Sequence, residues 1–126
     1  MTFRTEWIDE PYILGTTFNS LATISELNII MLEYLGAAQE QEVYLLLDFS
    51  EVTVPNGMLT LPSLLQVINH ANTKWMGIVK AETSSSYMTK LLTRDKVKMS
   101  RDTQTAIDFL RAMVRVDTGK NLKAGV

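Results

Sequence analysis

The sequence predicts an α/β fold, with a central, mainly parallel sheet, an N-terminal antiparallel hairpin and flanking helices. Two largely apolar stretches, at residues 43–47 and 75–81, are typical of strands that are covered on both faces. Helical stripes alternate with these runs, and such alternation favours parallel pairing through right-handed crossovers. The predicted order is β-β-α-β-α-β-α-β-α, in one domain over residues 1–116 followed by a tail over residues 117–126.

The first two strands are predicted to form the hairpin. Residues 3–8 and 12–18 are rich in aromatic and β-branched side chains, and the Asp-Glu-Pro sequence at 9–11 supplies turn residues between them. Because side chains alternate along a strand, one face of each strand is expected to be apolar. These faces comprise Phe3, Thr5 and Trp7 on the first strand and Tyr12, Leu14, Thr16 and Phe18 on the second.

The first helix is predicted to begin at a capping box formed by Thr23 and Glu26. Helical spacing of apolar residues then continues to about Gln39. The stripe comprises Ile24, Leu27, Met31, Tyr34, Leu35 and Ala38, and three further residues, Ile29, Ile30 and Leu32, widen it. An apolar surface this wide needs either deep burial or a partner. The sequence therefore predicts a homodimer that forms through this helix, with Ile30 among the contacts.

A loop and a second helix follow the third strand, which ends at Asp48. The turn signal in this loop is the Pro-Asn-Gly sequence at 55–57. We expect Thr60 to cap the second helix, and Pro62 is tolerated because it falls in the first turn. If the strands are parallel, the segments at 55–57 and 83–86 lie at one edge of the sheet and flank a shared crevice.

The remaining elements are short. Serines after the fourth strand offer N-caps for a third helix, and a weak strand is predicted at 97–99. Ser100 or Asp102 is expected to cap the last helix, which ends before the tail.

Composition excludes several classes of function. Twelve basic and fourteen acidic residues give a net charge of −2, which provides no overall field for binding nucleic acid. The chain has no cysteine and one histidine, a composition that excludes thiolate sites and a typical zinc site. No signal-peptide pattern opens the sequence, and the longest apolar stretch, at 27–38, is too short and too polar for stable membrane insertion. We therefore expect a cytoplasmic protein without a cofactor.

Two stretches of the sequence carry a family resemblance: LLLDFSEVTV at 45–54 and DTQTAIDFL at 102–110. Together with the element order, they resemble the STAS-domain superfamily and in particular its SpoIIAA-like branch, which is related in shape to Sec14-type lipid-binding domains. STAS domains occur in bacterial anti-sigma-factor antagonists and in the tails of anion transporters. The resemblance covers about residues 6–115, and it implies a STAS-like fold and a regulatory role in protein interaction.

The resemblance also implies that the usual phosphorylation switch is missing. In the antagonists a kinase phosphorylates a Ser or Thr at the start of the second helix, after an Asp. The matching positions here are Asn56 and Met58, and a methionine cannot accept phosphate. Thr60 and Ser63 lie nearby, but helix capping already explains Thr60, so we predict that neither is phosphorylated.

The loops at the strand ends form the candidate site for a ligand or partner. Asp48 either contacts a ligand there or accepts loop N–H bonds and stops its strand. The serines at 84–86, which follow Lys80, either bind an anion or cap their helix. The complete candidate set is Asp48, Ser50, Asn56, Gly57, Met58, Thr60, Lys80, Ser84, Ser85 and Ser86.

No catalytic constellation is recognisable in the sequence. His70 is expected near the end of the second helix, where it interacts favourably with the helix dipole, and no nucleophile elbow accompanies it. We therefore favour a non-enzymatic interaction module whose protein partner is unknown. The alternative is a carrier or sensor of a small apolar or anionic ligand, such as a lipid or nucleotide, and an enzyme comes third.

Overall fold

The computed structural model describes residues 3–54, 61–80 and 95–119. Five strands form one sheet in the order β1-β2-β3-β4-β5. They are β1 (Phe3–Asp9), β2 (Ile13–Phe18), β3 (Val43–Asp48), β4 (Thr73–Val79) and β5 (Val97–Ser100). β1 and β2 are antiparallel and the other neighbouring pairs are parallel. The predicted α/β class and mainly parallel sheet are therefore confirmed.

Three helices lie within the described residues: α1 (Ile24–Glu40), α2 (Pro62–Asn69) and α3 (Thr103–Thr118). Local sequence signals start two of them. Thr23 and Glu26 form the predicted capping box at α1. Asp102, and not Ser100, is the N-cap of α3, where its carboxylate accepts the Thr105 N–H at 2.8 Å. That accepted hydrogen bond lowers the pKa of Asp102.

Two of the described helices lie on one face of the sheet and one lies on the other. The reason is the strand order, in which each parallel strand lies beside the strand that precedes it in the chain. Right-handed crossovers between successive neighbours place their helices on one face, and α1 and α2 share a core there. α3 follows the last strand and packs on the opposite face. The first core contains Leu27, Ile30, Tyr34, Leu45, Leu64, Val67 and Ile78, and the second contains Ile13, Tyr44, Leu46, Val79, Ala106, Leu110 and Val114.

An ion pair and a close contact between the Ile8 side chain and Gly15 hold the hairpin against the second core. The Arg111 guanidinium donates from Nε to Asp9 Oδ2 at 2.6 Å and from a terminal nitrogen to Oδ1 at 3.2 Å, which joins α3 to the end of β1. The bonds to Asp9 raise the pKa of Arg111. Gly15 lies beneath Ile8, where an added Cβ would meet Ile8 Cδ1 at 2.7 Å. A larger residue at this position would require the end of the Ile8 side chain to move.

Several predicted details are wrong. The N-cap of α2 is Leu61, with no side-chain cap bond, because the helix begins at Pro62 and not directly after Thr60. Tyr12 packs against the second core, away from Leu14, because it lies in the turn before β2 and does not follow the alternation of that strand. α3 includes Asp117, which the sequence assigned to the tail.

Other predictions fall outside the part of the chain that is described. This applies to the third predicted helix and to most of the predicted tail. Within the described ranges, no helix combines the length and hydropathy that a membrane span requires.

Candidate functional site

The ligand site predicted from the sequence lies at the carboxyl edge of the parallel strands. Asp48 pairs with Val79, and Val79 pairs with Ser100, so β3, β4 and β5 end side by side. The segments that follow β3 and β4 therefore start from one edge, as predicted. The crevice itself remains a prediction, because these candidate residues lie outside the described ranges: Asn56, Gly57, Met58, Thr60, Ser84, Ser85 and Ser86.

Asp48 uses both of its carboxylate oxygens within the fold. Oδ1 accepts the Ser50 N–H at 2.9 Å, and Oδ2 accepts the Thr103 hydroxyl at 2.7 Å. The residue is 4% exposed. Asp48 therefore stops β3, turns the chain at Ser50 and holds the first residue of α3.

Two other residues at this edge have different surroundings. The Lys80 N–H donates to the Ser100 carbonyl at 3.0 Å and extends the β4–β5 pairing by one residue. The Ser100 hydroxyl is buried and has no hydrogen-bond partner among the described residues. The edge thus combines a carboxylate that is bonded through both oxygens with one buried hydroxyl that no described residue bonds.

His70 has a structural position at the end of α2. It is the C-cap residue, and its Nδ1 accepts the Asn72 N–H at 3.1 Å. Its carbonyl accepts the Lys96 ammonium at 2.8 Å. Within the described ranges, no three acidic or histidine side chains come together in a way that could hold a metal ion.

A groove opens between the edge strand β1 and α1. It has a volume of about 440 Å³ and is lined by Phe3, Arg4, Thr5, Asn19 and Glu33. Arg4 also pairs with Glu6 at 3.2 Å, and both side chains are exposed. The groove is an open recess beside an aromatic ring.

A chain of hydrogen bonds runs inward from this groove. Thr5, Thr16 and Tyr34 are linked through their hydroxyls at 2.8 and 2.7 Å, and the Tyr34 hydroxyl donates to the Leu46 carbonyl at 2.6 Å. Tyr34 has one proton and gives it to Leu46, so Thr16 donates to Tyr34 and Thr5 donates to Thr16. Burial raises the pKa of Tyr34, an effect that the hydrogen bond with Thr16 opposes.

The outer face of α1 carries large apolar side chains beside acidic ones. Ile29 is 57% exposed and Leu32 is 53% exposed, whereas Ile30 is fully buried. The prediction that Ile30 is an outward contact is wrong, because the sheet takes the side of the helix that contains Ile30 and Tyr34. Gly36 lies on the exposed side, and a Cβ added there would meet no atom within 4 Å in the ranges that the structure describes.

No family model, curated protein or solved structure matches the chain. The resemblance to STAS domains therefore remains a hypothesis.

Sequence reasoning missed two partners that the fold supplies. Thr103 bonds Asp48 from 55 positions away, and Asn28 accepts the Ser63 hydroxyl at 2.7 Å across the α1–α2 contact. No local signal identifies such pairs. Strand order together with the position of α3 would have been needed to bring Thr103 to Asp48.

Proposed function

We propose that this chain is a non-enzymatic, regulatory interaction module of STAS-like type, which acts in the cytoplasm and binds proteins through the outer face of α1. The observation that supports this function is the exposure of Ile29 and Leu32 on a helix whose opposite side is already fully packed. An α/β domain normally gives a flanking helix a polar outer side, so apolar side chains there are typical of an interaction surface.

The bonding of the titratable candidates also favours a binding function over catalysis. Asp48 is bonded to Ser50 and Thr103, and His70 Nδ1 accepts a backbone N–H. A general acid or base needs a polar atom that can reach a substrate proton. In this fold both oxygens of Asp48 and the Nδ1 atom of His70 instead hold turns and helix ends.

Site-specific photo-crosslinking tests the proposed surface. A photoreactive amino acid replaces Leu32 on α1 in one variant and Val116 on α3 in the other, and both are irradiated in extract from the source organism. Val116 is a matched control because it is an apolar residue on a helix and is 70% exposed. We expect position 32, and not position 116, to crosslink one defined protein. A second copy of the chain counts as such a protein. Equal crosslinking from both positions, or none from position 32, would contradict the proposal.

The groove supports a second candidate function, that of a carrier or sensor. A recess of about 440 Å³ has the size of a small-molecule site, and Phe3 provides an aromatic wall. Arg4 and Glu33 give the lining one charge of each sign, so the groove has no net positive charge that would favour an anionic ligand over an apolar one. Native mass spectrometry of protein purified from its source tests this function: a bound lipid that a Phe3→Ala variant loses would support it, and ligand-free protein would contradict it.

A further inference from the structure

The outermost line of α1 can be located from its buried residues. At 100° per residue, the buried set (Leu27, Ile30, Met31, Tyr34 and Ala38) centres on one direction. The residues within about 45° of the opposite direction are Ser25, Ile29, Leu32, Gly36 and Glu40, by the same helical geometry. All five are exposed. The part of the helix farthest from the sheet therefore carries two large apolar side chains between two small residues, with one glutamate at its end.

Gly36 has no role that the described part of the chain requires. Its φ is not positive, and an added Cβ would meet no atom of the described residues within 4 Å. Glycine inside a helix is less favourable than alanine by about 1 kcal/mol. Gly36 therefore weakens the helix without relieving a contact among the described residues. A close approach of another backbone to the helix at Gly36 would explain why a glycine stands there.

The exposed apolar area suits a small interface. Leu21, Ile24, Ile29 and Leu32 are 62%, 39%, 57% and 53% exposed, and all lie in α1 or just before it. Ile29 and Leu32 lie on the outermost line, whereas Ile24 lies about 120° round the helix from it, so one partner can cover on the order of 200 Å² of apolar surface there. Two such surfaces with their polar rims form an interface below about 1,000 Å², the size of a weak, transient contact.

We propose that the occupant of this surface is a second copy of the chain, with the two α1 helices packed antiparallel about a two-fold axis beside Leu32. Positions 29 and 36 are equidistant from an axis between residues 32 and 33. The symmetry therefore seats Ile29 of each copy on Gly36 of the other and brings the two Leu32 side chains together. A two-fold interface must be self-complementary, and a large residue paired with a small one in this register meets that condition. This inference rests on the proposed function.

The charges of α1 give the dimer a distinctive response to salt. The helix contains Glu26, Glu33 and Glu40 and no basic residue. In an antiparallel pair about a two-fold axis, each side of one helix faces the same side of the other, so Glu33 and its copy lie on one flank. Added salt screens this repulsion, and the dimer should tighten as ionic strength rises. A basic partner helix would show the opposite dependence.

Sedimentation equilibrium of the full chain tests the interface. We expect a mass of twice 14.2 kDa at high micromolar concentration. Leu32→Glu and Gly36→Leu should each weaken the dimer by at least about tenfold, while Val116→Glu on α3 should leave it unchanged. Circular dichroism and thermal melting establish that each variant is folded. Because Gly36→Leu introduces no charge and has free space in the monomer, its loss of dimer cannot be assigned to misfolding. A monomer at every concentration would overturn the inference.

The sign of the electrostatic effect tests which partner occupies the face. Raising the salt from about 50 to 500 mM, or replacing Glu33 by Gln, should lower the dimer dissociation constant about two- to threefold. A weaker dimer under either change would overturn the antiparallel pairing. If the chain stays monomeric while position 32 crosslinks a different protein, the second-copy inference fails and the proposed function stands. If position 32 crosslinks nothing, both fail.

Discussion

Asp48 shows how one side chain can organise the end of a strand. Its carboxylate joins the turn at Ser50 to the start of α3 at Thr103, and it lies among buried atoms. A buried acceptor is stabilising when its donors are present, and removing it leaves those donors without partners. The position at the carboxyl edge of the sheet resembles that of a ligand-binding residue, but the bonds are those of a structural one.

Replacing Asp48 by Ala should therefore destabilise the fold by about 2 kcal/mol, because the Ser50 N–H and the Thr103 hydroxyl lose their acceptor. Thr103→Val removes one of these bonds and should cost about 1 kcal/mol. In urea unfolding, the double variant should cost less than the sum of the two single variants, since they share a bond. An Asp48→Ala protein as stable as the wild type would show that these bonds do not support the fold.

Tyr34 should make stability depend on pH in the alkaline range. Burial raises the pKa of its hydroxyl above the usual value near 10. Below pH 10 the residue is protonated in both states and contributes no pH dependence. Above pH 10 the unfolded chain loses the proton and the folded chain keeps it, so the free energy of unfolding falls by about 1.4 kcal/mol per pH unit.

The comparison of Tyr34→Phe with wild type isolates this effect. Phe removes the bond to the Leu46 carbonyl and should lower stability at neutral pH by about 1–3 kcal/mol. Between pH 9 and 11 its stability should then fall by about 1.4 kcal/mol less than that of the wild type. The comparison matters because Tyr44, whose pKa is also raised by burial and by its bond to Asp117, titrates in both proteins. Identical slopes would contradict the assignment to Tyr34.

The elements differ in how far their own sequence determines them. The capping box of Thr23 and Glu26 and the cap at Asp102 rely on contacts within three residues, and both were predictable. The orientation of α1 was not, because apolar residues occur nearly all round that helix. Only the sheet decides that Ile30 is inside and Ile29 is outside, and the sheet is assembled from distant segments.

Two glycines give opposite expectations at the level of elements. Gly36→Ala adds a methyl group in open space on α1 and should stabilise the monomer by about 1 kcal/mol, a rise in Tm of about 4 °C. Gly15→Ala should destabilise, because its Cβ would lie 2.7 Å from Ile8 Cδ1 in β2's close contact with β1. Thermal melting at low protein concentration checks both. A lower Tm for Gly36→Ala would show that the monomer requires glycine at that position.

For the whole molecule, the sequential strand order explains both the fold and its exposed surface. Because each parallel strand is added beside the last, α1 and α2 lie together on one face, and the Ser63–Asn28 bond joins them. α3 is then required on the other face to cover Tyr44 and Leu46. The alternation of strand and helix predicted a mainly parallel sheet with flanking helices, but it predicted neither the order of the strands nor the face that each helix covers. The carboxyl-edge site was less predictable, since Asp48 found its second donor 55 residues away.

The proposed dimer has a consequence for the stability of the whole chain. A protein that unfolds from a dimer to separate chains gains stability with concentration, since mass action favours the associated state. The entropy of unfolding of the dimer is the sum for two chains. For an entropy of that size, a tenfold rise in protein concentration should raise Tm by about 2–3 °C. Leu32→Glu should abolish this dependence, and Val116→Glu should retain it. Differential scanning calorimetry over two decades of concentration measures the effect. A wild-type Tm that is independent of concentration above the dissociation constant would contradict coupled dimerisation, because the folded monomer would then be as resistant to unfolding as the pair.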